Sequence, residues 1–518
     1  MKKNILTYVL ISCLLLMACY EDKGNYDYIT PNDITIDLGE GSTNLLAYVG
    51  EEFSFTPKKF EWLNPQDSAS FEFWWENSTQ LTEEGEIQVL GRERTLTFTP
   101  VKTGRQMVQL CARDTRTGII TTVSIGIEVK SPYERGWAVL SSENDQSIIS
   151  LIRPEYETIE GQKTRIYTSF IDLFKDSELL GYKPMKIRQQ LTSGGSIVLV
   201  IQESGAIWLN GSSFTKEVLL ADEFVGGGIT GFSPKDFFQT NYTGTVLDKN
   251  GYLYSRYVDA NSSAFYISEF MNFPTEYKGK VLKIESFIRV NNSAYYGLLD
   301  KNEKRILWVN SDYFGSGLIM GTKMPASGDF LDMSNFGNAN ILYCAGWNEA
   351  FPKANIMLLY ERDGIVYVQQ AETNYDNRTN PVNIVVSNVT SKVFSGREYI
   401  SENTVFYQLC LRPYLFFSEQ GVVYWYDLNT GTTHRFYDEF GENDRVVAMS
   451  SNPQESELGL VLDTPGGSKF VTLDITAGQL YEKRKITEVP IPGRVVDLDY
   501  KYPTSTMFSN RARSFAWD

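Results

Sequence analysis

The chain has 518 residues, too many for one ordinary domain, and its apolar content is enough for sizeable cores. A formal net charge of −16 repels phosphate backbones and sets nucleic acid aside as a partner. With 31 Tyr, 30 Phe and 40 Gly, and no long stretch of 3.6-residue apolar period, the composition favours strands and turns over helices.

In chain order, Lys2 and Lys3 come first, then an uncharged, mostly apolar run from Ile5 to Ala18. That run is too short to cross a bilayer as a stable helix and reads as a signal peptide over residues 1–18. It ends in Leu16-Met17-Ala18-Cys19, which resembles a bacterial lipobox. The resemblance implies that Cys19 becomes the first mature residue, carries the lipid and anchors the chain to the outer membrane. Glu21 and Asp22 resemble the surface-export signal of Bacteroidota lipoproteins, which implies an outward-facing position. Residues 19–30 are then a tether.

Short alternating segments at roughly ten-residue spacing follow. They are Ile34 to Leu38, Glu52 to Pro57, Phe71 to Trp75, Leu96 to Pro100, Gln106 to Ala112 and Thr121 to Val129. This rhythm predicts a β-sandwich of immunoglobulin type over residues 31–131. Trp74 and Trp75 must point to opposite faces of their strand, so one belongs to the core. The start Cys19-Tyr20-Glu21-Asp22-Lys23-Gly24-Asn25-Tyr26-Asp27-Tyr28, with the later Gly-Glu-x-Phe and Gly-x-x-x-Val-x-Leu strands, resembles the PKD-like family of Bacteroidota lipoproteins. The usual Trp-x-Phe-Gly-Asp-Gly is replaced here by Phe73-Trp74-Trp75-Glu76-Asn77. Asp67-Ser68-Ala69 matches a short O-glycosylation motif of these bacteria.

Ser131-Pro132-Tyr133 breaks the rhythm, and a repeat begins. Its mark is a polar turn followed by glycine–x–aliphatic–aromatic: Gly205 to Trp208, Gly251 to Tyr254, Gly364 to Tyr367 and Gly421 to Tyr424. Lys304 to Trp308, Gly467 to Val471 and Asp145 to Ile149 are weaker copies. A period near 50 with several strands per unit predicts a β-propeller over residues 132–518, seven-bladed by this count. A surplus strand, Arg494 to Tyr500, matches a strand missing from the first unit, so the chain end is expected to close the ring. The fold class is thus all-β: an Ig/PKD-like β-sandwich followed by a β-propeller.

Chemistry is harder to read. The one histidine, His434, sits in an apparent hairpin turn, which removes a His-pair zinc site. A Ser-His-Asp triad lacks a Gly-x-Ser-x-Gly nucleophile. Cys111, Cys344 and Cys410 read as small core residues, with a Cys344–Cys410 bridge as the alternative. No catalytic residue, metal or cofactor is assigned. The stretch Ala345 to Pro352 reads as a longer loop in the fifth unit. Its Trp347, Asn348, Glu349 and Phe351 are candidates for stacking on and hydrogen-bonding a ligand. The expected function is capture of a nutrient ligand, glycan or peptide. The family resemblance adds a TonB-dependent transporter and its lid lipoprotein as partners. A carboxylate-based polysaccharide hydrolase or lyase is the alternative, and a structural or adhesive module the second.

Overall fold

The computed structural model describes residues 32–502 except 82–84, 160–161, 177, 193–194, 241, 259–267, 291–294, 312–316, 351–352 and 377–381. The signal peptide, Cys19 and the tether lie outside the described residues, as does Phe351. The regular elements of the described residues are all strands apart from three short 3-10 turns. It divides between Ser131 and Pro132 into two compact units.

The first unit is a sandwich. One layer is a five-stranded sheet in the order Leu45–Tyr48, Ile120–Lys130, Gly104–Asp114, Phe71–Leu81, Ile87–Gly91. The opposing layer consists of two antiparallel pairs, Ile34–Asp37 with Lys59–Trp62 and Phe53–Phe55 with Leu96–Phe98. Strict alternation builds the core. Ile34 and Ile36 point inward while Thr35 and Asp37 face water. They meet Trp75, Leu96, Val108, Leu110, Ile125 and Ile127. Trp75 is fully buried, and Trp74, one residue earlier, lies on the other face with its indole N–H on Glu76 at 2.8 Å.

The second unit is a β-propeller made of antiparallel meanders. The turn repeat marks the entry to the third strand of each: Ile207–Asn210, Leu253–Tyr257, Arg305–Asn310, Ile365–Asp376, Val422–Asp427 and Gly467–Asp474. One strand of each meander forms its inner edge. These are Pro184–Thr192, Pro234–Gln239, Ser286–Ile288, Asn340–Ala350, Val405–Gln408 and Arg445–Ser451. For the first meander the inner edge is Arg494–Lys501, paired antiparallel with Gly136–Glu143. The fourth and fifth meanders fuse into one eight-stranded sheet, because Ile319–Lys323 pairs in parallel with Asn383–Val393.

Apolar clusters fill the spaces between neighbouring meanders. Trp137 of the first packs on Phe470 of the last, with ring centroids 5.5 Å apart. Trp208 of the second meets Phe237 of the third at 5.2 Å. Large aromatic rings suit these wedge-shaped gaps because one side chain fills what several aliphatics would.

Two local expectations change. Ala345 to Ala350 is not a loop but the end of strand Asn340–Ala350, whose hairpin with Lys353–Arg362 is simply longer than its neighbours. His434 lies on strand Thr432–Tyr437 rather than in the turn. It is half-buried and stacked on Trp425 at 4.4 Å, because cross-strand pairing sets the two rings directly opposite. Cys111, Cys344 and Cys410 are all free thiols, so no Cys344–Cys410 bridge forms.

Candidate functional site at the centre of the propeller

The inner-edge strands lie side by side. Arg494–Lys501 is flanked by Pro184–Thr192 and Arg445–Ser451, and Pro184–Thr192 by Pro234–Gln239. Alternation on these strands carries polar side chains to the ring's centre. On Pro184–Thr192 the sequence Met-Lys-Ile-Arg-Gln buries Ile187 and turns Lys186 and Arg188 toward the neighbouring inner strands.

Asp236, on the next inner strand, takes both cations. Lys186 Nζ lies 2.6 Å from its Oδ2, and Arg188 Nε lies 3.1 Å from its Oδ1. Arg188 Nη1 reaches Asp497 Oδ2 at 2.8 Å on the closing strand, and the Ile187 N–H donates to the same oxygen at 3.0 Å. One guanidinium therefore ties three meanders together. Gln189 adds a reciprocal pair with the backbone of Tyr502, both bonds 2.8 Å. Arg289, exposed just after strand Ser286–Ile288, acts electrostatically on Asp236, Asp499 and Tyr343. Farther along, the Tyr407 hydroxyl lies 2.9 Å from Ser451 Oγ, and Tyr343 accepts the Gln408 N–H at 3.1 Å.

The carboxylates here diverge. Burial alone would raise Asp236, but Arg188 and Lys186 outweigh it and hold the group well below the usual carboxylate range. Burial raises Asp499, reinforced by Asp497, although Arg188 and Arg289 pull the other way. Burial lowers Lys186, and Asp236 only partly restores it. Burial and neighbouring charge thus push Asp236 and Asp499 in opposite directions.

The expected ligand-binding residues lie elsewhere. Trp347 is half-buried and packs with Met357, Leu359, Phe417 and Tyr424, between the fifth and sixth meanders. The backbone of Asn348 and Glu349 continues the strand; their side chains, and all of Phe351, lie outside the described residues. The central charges were missed from sequence. The available signal was charge at alternate positions of otherwise apolar inner strands: Lys186 and Arg188, then Asp497 and Asp499.

Among the described residues no group of three or more His, Cys, Asp or Glu is placed to hold a metal ion. No described helix is long and apolar enough to cross a membrane. A separate groove of about 1070 Å³ lies on the sandwich unit, lined by Glu72, Phe73, Trp74, Arg92, Arg94 and Arg113. The Arg94 guanidinium there covers Phe60, Trp62 and Phe73 at 5.0–5.4 Å. Ser68, of the glycosylation motif, lines the same groove.

Residues 19–175 match the PKD-like family. The PKD-like match covers the sandwich unit and runs through the outer strand of the first meander, Gln162–Phe170. No curated protein matches the chain. Among solved structures, a quinonprotein alcohol dehydrogenase-like protein from Bacteroides thetaiotaomicron is 12% identical, covering 91% of this chain and 97% of its own, with a TM-score of 0.35. The β-propeller domain of Myceliophteria thermophila Cps50 (Swd1) is 6% identical, covering 60% of this chain and 87% of its own, with a TM-score of 0.33.

Proposed function

We propose that this protein is an outward-facing outer-membrane lipoprotein, anchored through Cys19, whose seven-bladed propeller captures a nutrient glycan or peptide. Its partners in this reading are a TonB-dependent transporter and the transporter's lid lipoprotein. The PKD-like match begins at residue 19, the residue that the lipobox resemblance makes the mature N-terminus. Anchoring raises the local concentration of captured ligand near a transporter.

The observation that carries ligand capture is the central polar cluster. Lys186, Arg188 and Arg289 face Asp236, Asp497 and Asp499 where apolar packing would close the ring at least as well. Buried ion pairs add little stability over hydrophobic residues of similar volume, so recognition accounts better for the paired Lys186, Arg188, Asp236 and Asp497, with exposed Arg289 beside them. Mixed donors and acceptors suit hydroxyl or amide groups of a polymer.

The test is binding of immobilised glycans and peptides by the purified protein, with exposed Arg289→Ala as the variant. Binding should fall about tenfold with the melting temperature unchanged. Equal binding by both proteins overturns the central site. Anchoring is checked by growing cells with a palmitate analogue. The wild-type protein should be labelled and Cys19→Ala should not.

The divergence of Asp236 and Asp499 favours one second reading, a carboxylate-based hydrolase or lyase. Product release from a polysaccharide, abolished by Asp499→Asn, would establish it. A tight complex with a neighbouring outer-membrane protein and no small ligand would favour the adhesive role instead.

A further inference from the structure

Away from the centre, between the third and fourth meanders, a cavity of about 100 Å³ is lined by Lys235, Lys249, Lys283 and Lys301, with Asn250, Asn302 and a single acidic residue, Glu285. Four lysines converge here in a chain of net charge −16. Like charges lining one cavity repel, and an anion among them would relieve that repulsion.

The walls are rigidly built. Lys249 and Lys301 occupy matching positions in two successive turns that begin Asp248-Lys249-Asn250 and Asp300-Lys301-Asn302. Each turn is pinned by its buried aspartate. Asp248 Oδ1 accepts the N–H groups of Asn250 at 2.9 Å and Tyr252 at 2.8 Å. Asp300 Oδ1 accepts the Glu303 N–H at 3.0 Å, and its Oδ2 binds Arg305 Nε at 3.0 Å. The two meanders are then locked together, with the Ile284 N–H donating to Gly251 O at 2.8 Å. Gly251 has φ +85°, and a Cβ there would stand 3.0 Å from Ile284 O, so glycine is what allows this approach.

The lysines are poorly neutralised. Lys235 donates to the Glu285 carbonyl at 2.8 Å and lies 3.6 Å from its carboxylate. Lys249 reaches Glu203 only at 3.8 Å. Lys283 lies over the Tyr252 ring at 5.5 Å. Neither Lys283 nor Lys301 has a carboxylate within ion-pair distance among the described residues.

We propose that this cavity is an oxyanion subsite that takes a sulfate, phosphate or carboxylate group. Resting on the nutrient-capture reading, the group is one borne by a polymeric ligand, which narrows that ligand to an acidic one. Ammonium groups suit it because they are strongly hydrated point charges that bind oxyanions without demanding planar geometry.

The test uses full-length protein and a Lys249→Gln/Lys283→Gln/Lys301→Gln variant. The control is Lys102→Gln/Lys175→Gln/Lys323→Gln, which removes equal charge elsewhere. The probes are inorganic sulfate, inorganic phosphate, dextran sulfate, carboxymethyl dextran and plain dextran. Affinity is measured by titration, and lysine acylation is read by mass spectrometry. Dextran sulfate or carboxymethyl dextran should bind about tenfold more weakly to the first variant than to the control and should shield Lys283 and Lys301 from acylation. Preference between the two polymers assigns sulfate ester or carboxylate. Shielding by inorganic sulfate or phosphate without polymer binding keeps the subsite and overturns the polymer-capture reading. Polymer binding equal in both variants, with no shielding, keeps capture and overturns the subsite.

Discussion

Glu455 shows how one side chain answers to its surroundings. Its carboxylate accepts backbone N–H groups of Cys410 and of Leu411, the latter at 2.9 Å, and lies 3.6 Å from Arg412 Nε. Burial nevertheless dominates and raises its pKa from 4.5 to about 7. Between those values the folded state holds a proton that the unfolded state has released. Stability is therefore fully present below about pH 4.5 and is lost as pH rises through about 7, by up to about 3 kcal/mol. Glu455→Gln should flatten the melting-temperature profile over that window, as read by thermal unfolding at stepped pH. At this scale the sequence was legible where strand alternation decides. It put one of Trp74 and Trp75 in the core, and Trp75 is the one. It was silent where partners are remote in the chain. Arg188 and Asp497 are 309 positions apart.

Among the elements, the strand Glu457–Thr464 meets Gly136–Glu143 with almost no clearance. A Cβ at Gly459 would enter the ring of Trp137, which is fully buried. Gly459→Ala should cost about 1–3 kcal/mol and lower the melting temperature by a few degrees. A change of less than a degree would show that the interface yields. Element positions were largely readable because each glycine-aromatic turn starts a third strand, and turn chemistry is local. The strands Leu45–Tyr48, Lys59–Trp62 and Ile87–Gly91 escaped notice. They are only four or five residues long, too short for alternation to stand out, and Leu45–Tyr48 is held by pairing with the distant strand Ile120–Lys130. The hairpin containing Trp347 was misread as a loop for a related reason. Its small and polar residues suggest a turn, while its partner strand supplies a full ladder of pairing.

For the molecule as a whole, the closing strand decides whether the propeller is a ring. Ending the chain at Ile491 would leave Gly136–Glu143 as a bare inner edge and strip Arg188 of Asp497. The truncated protein should aggregate on size-exclusion chromatography. A soluble monomer of unchanged stability would contradict this account.

What sequence alone determined was the all-strand character, the boundary at Ser131, the turn repeat and the surplus strand at the end. Those depend on neighbouring residues and on composition, which a linear reading can see. Only the tertiary structure decided which charges meet at the centre, which lysines share a cavity and where His434 and Trp347 pack. Such meetings are set by strand register and by the packing of one meander on the next, and at the closing strand by ring closure, which joins Arg188 to Asp497 across 309 positions. Local spacing carries no information about them.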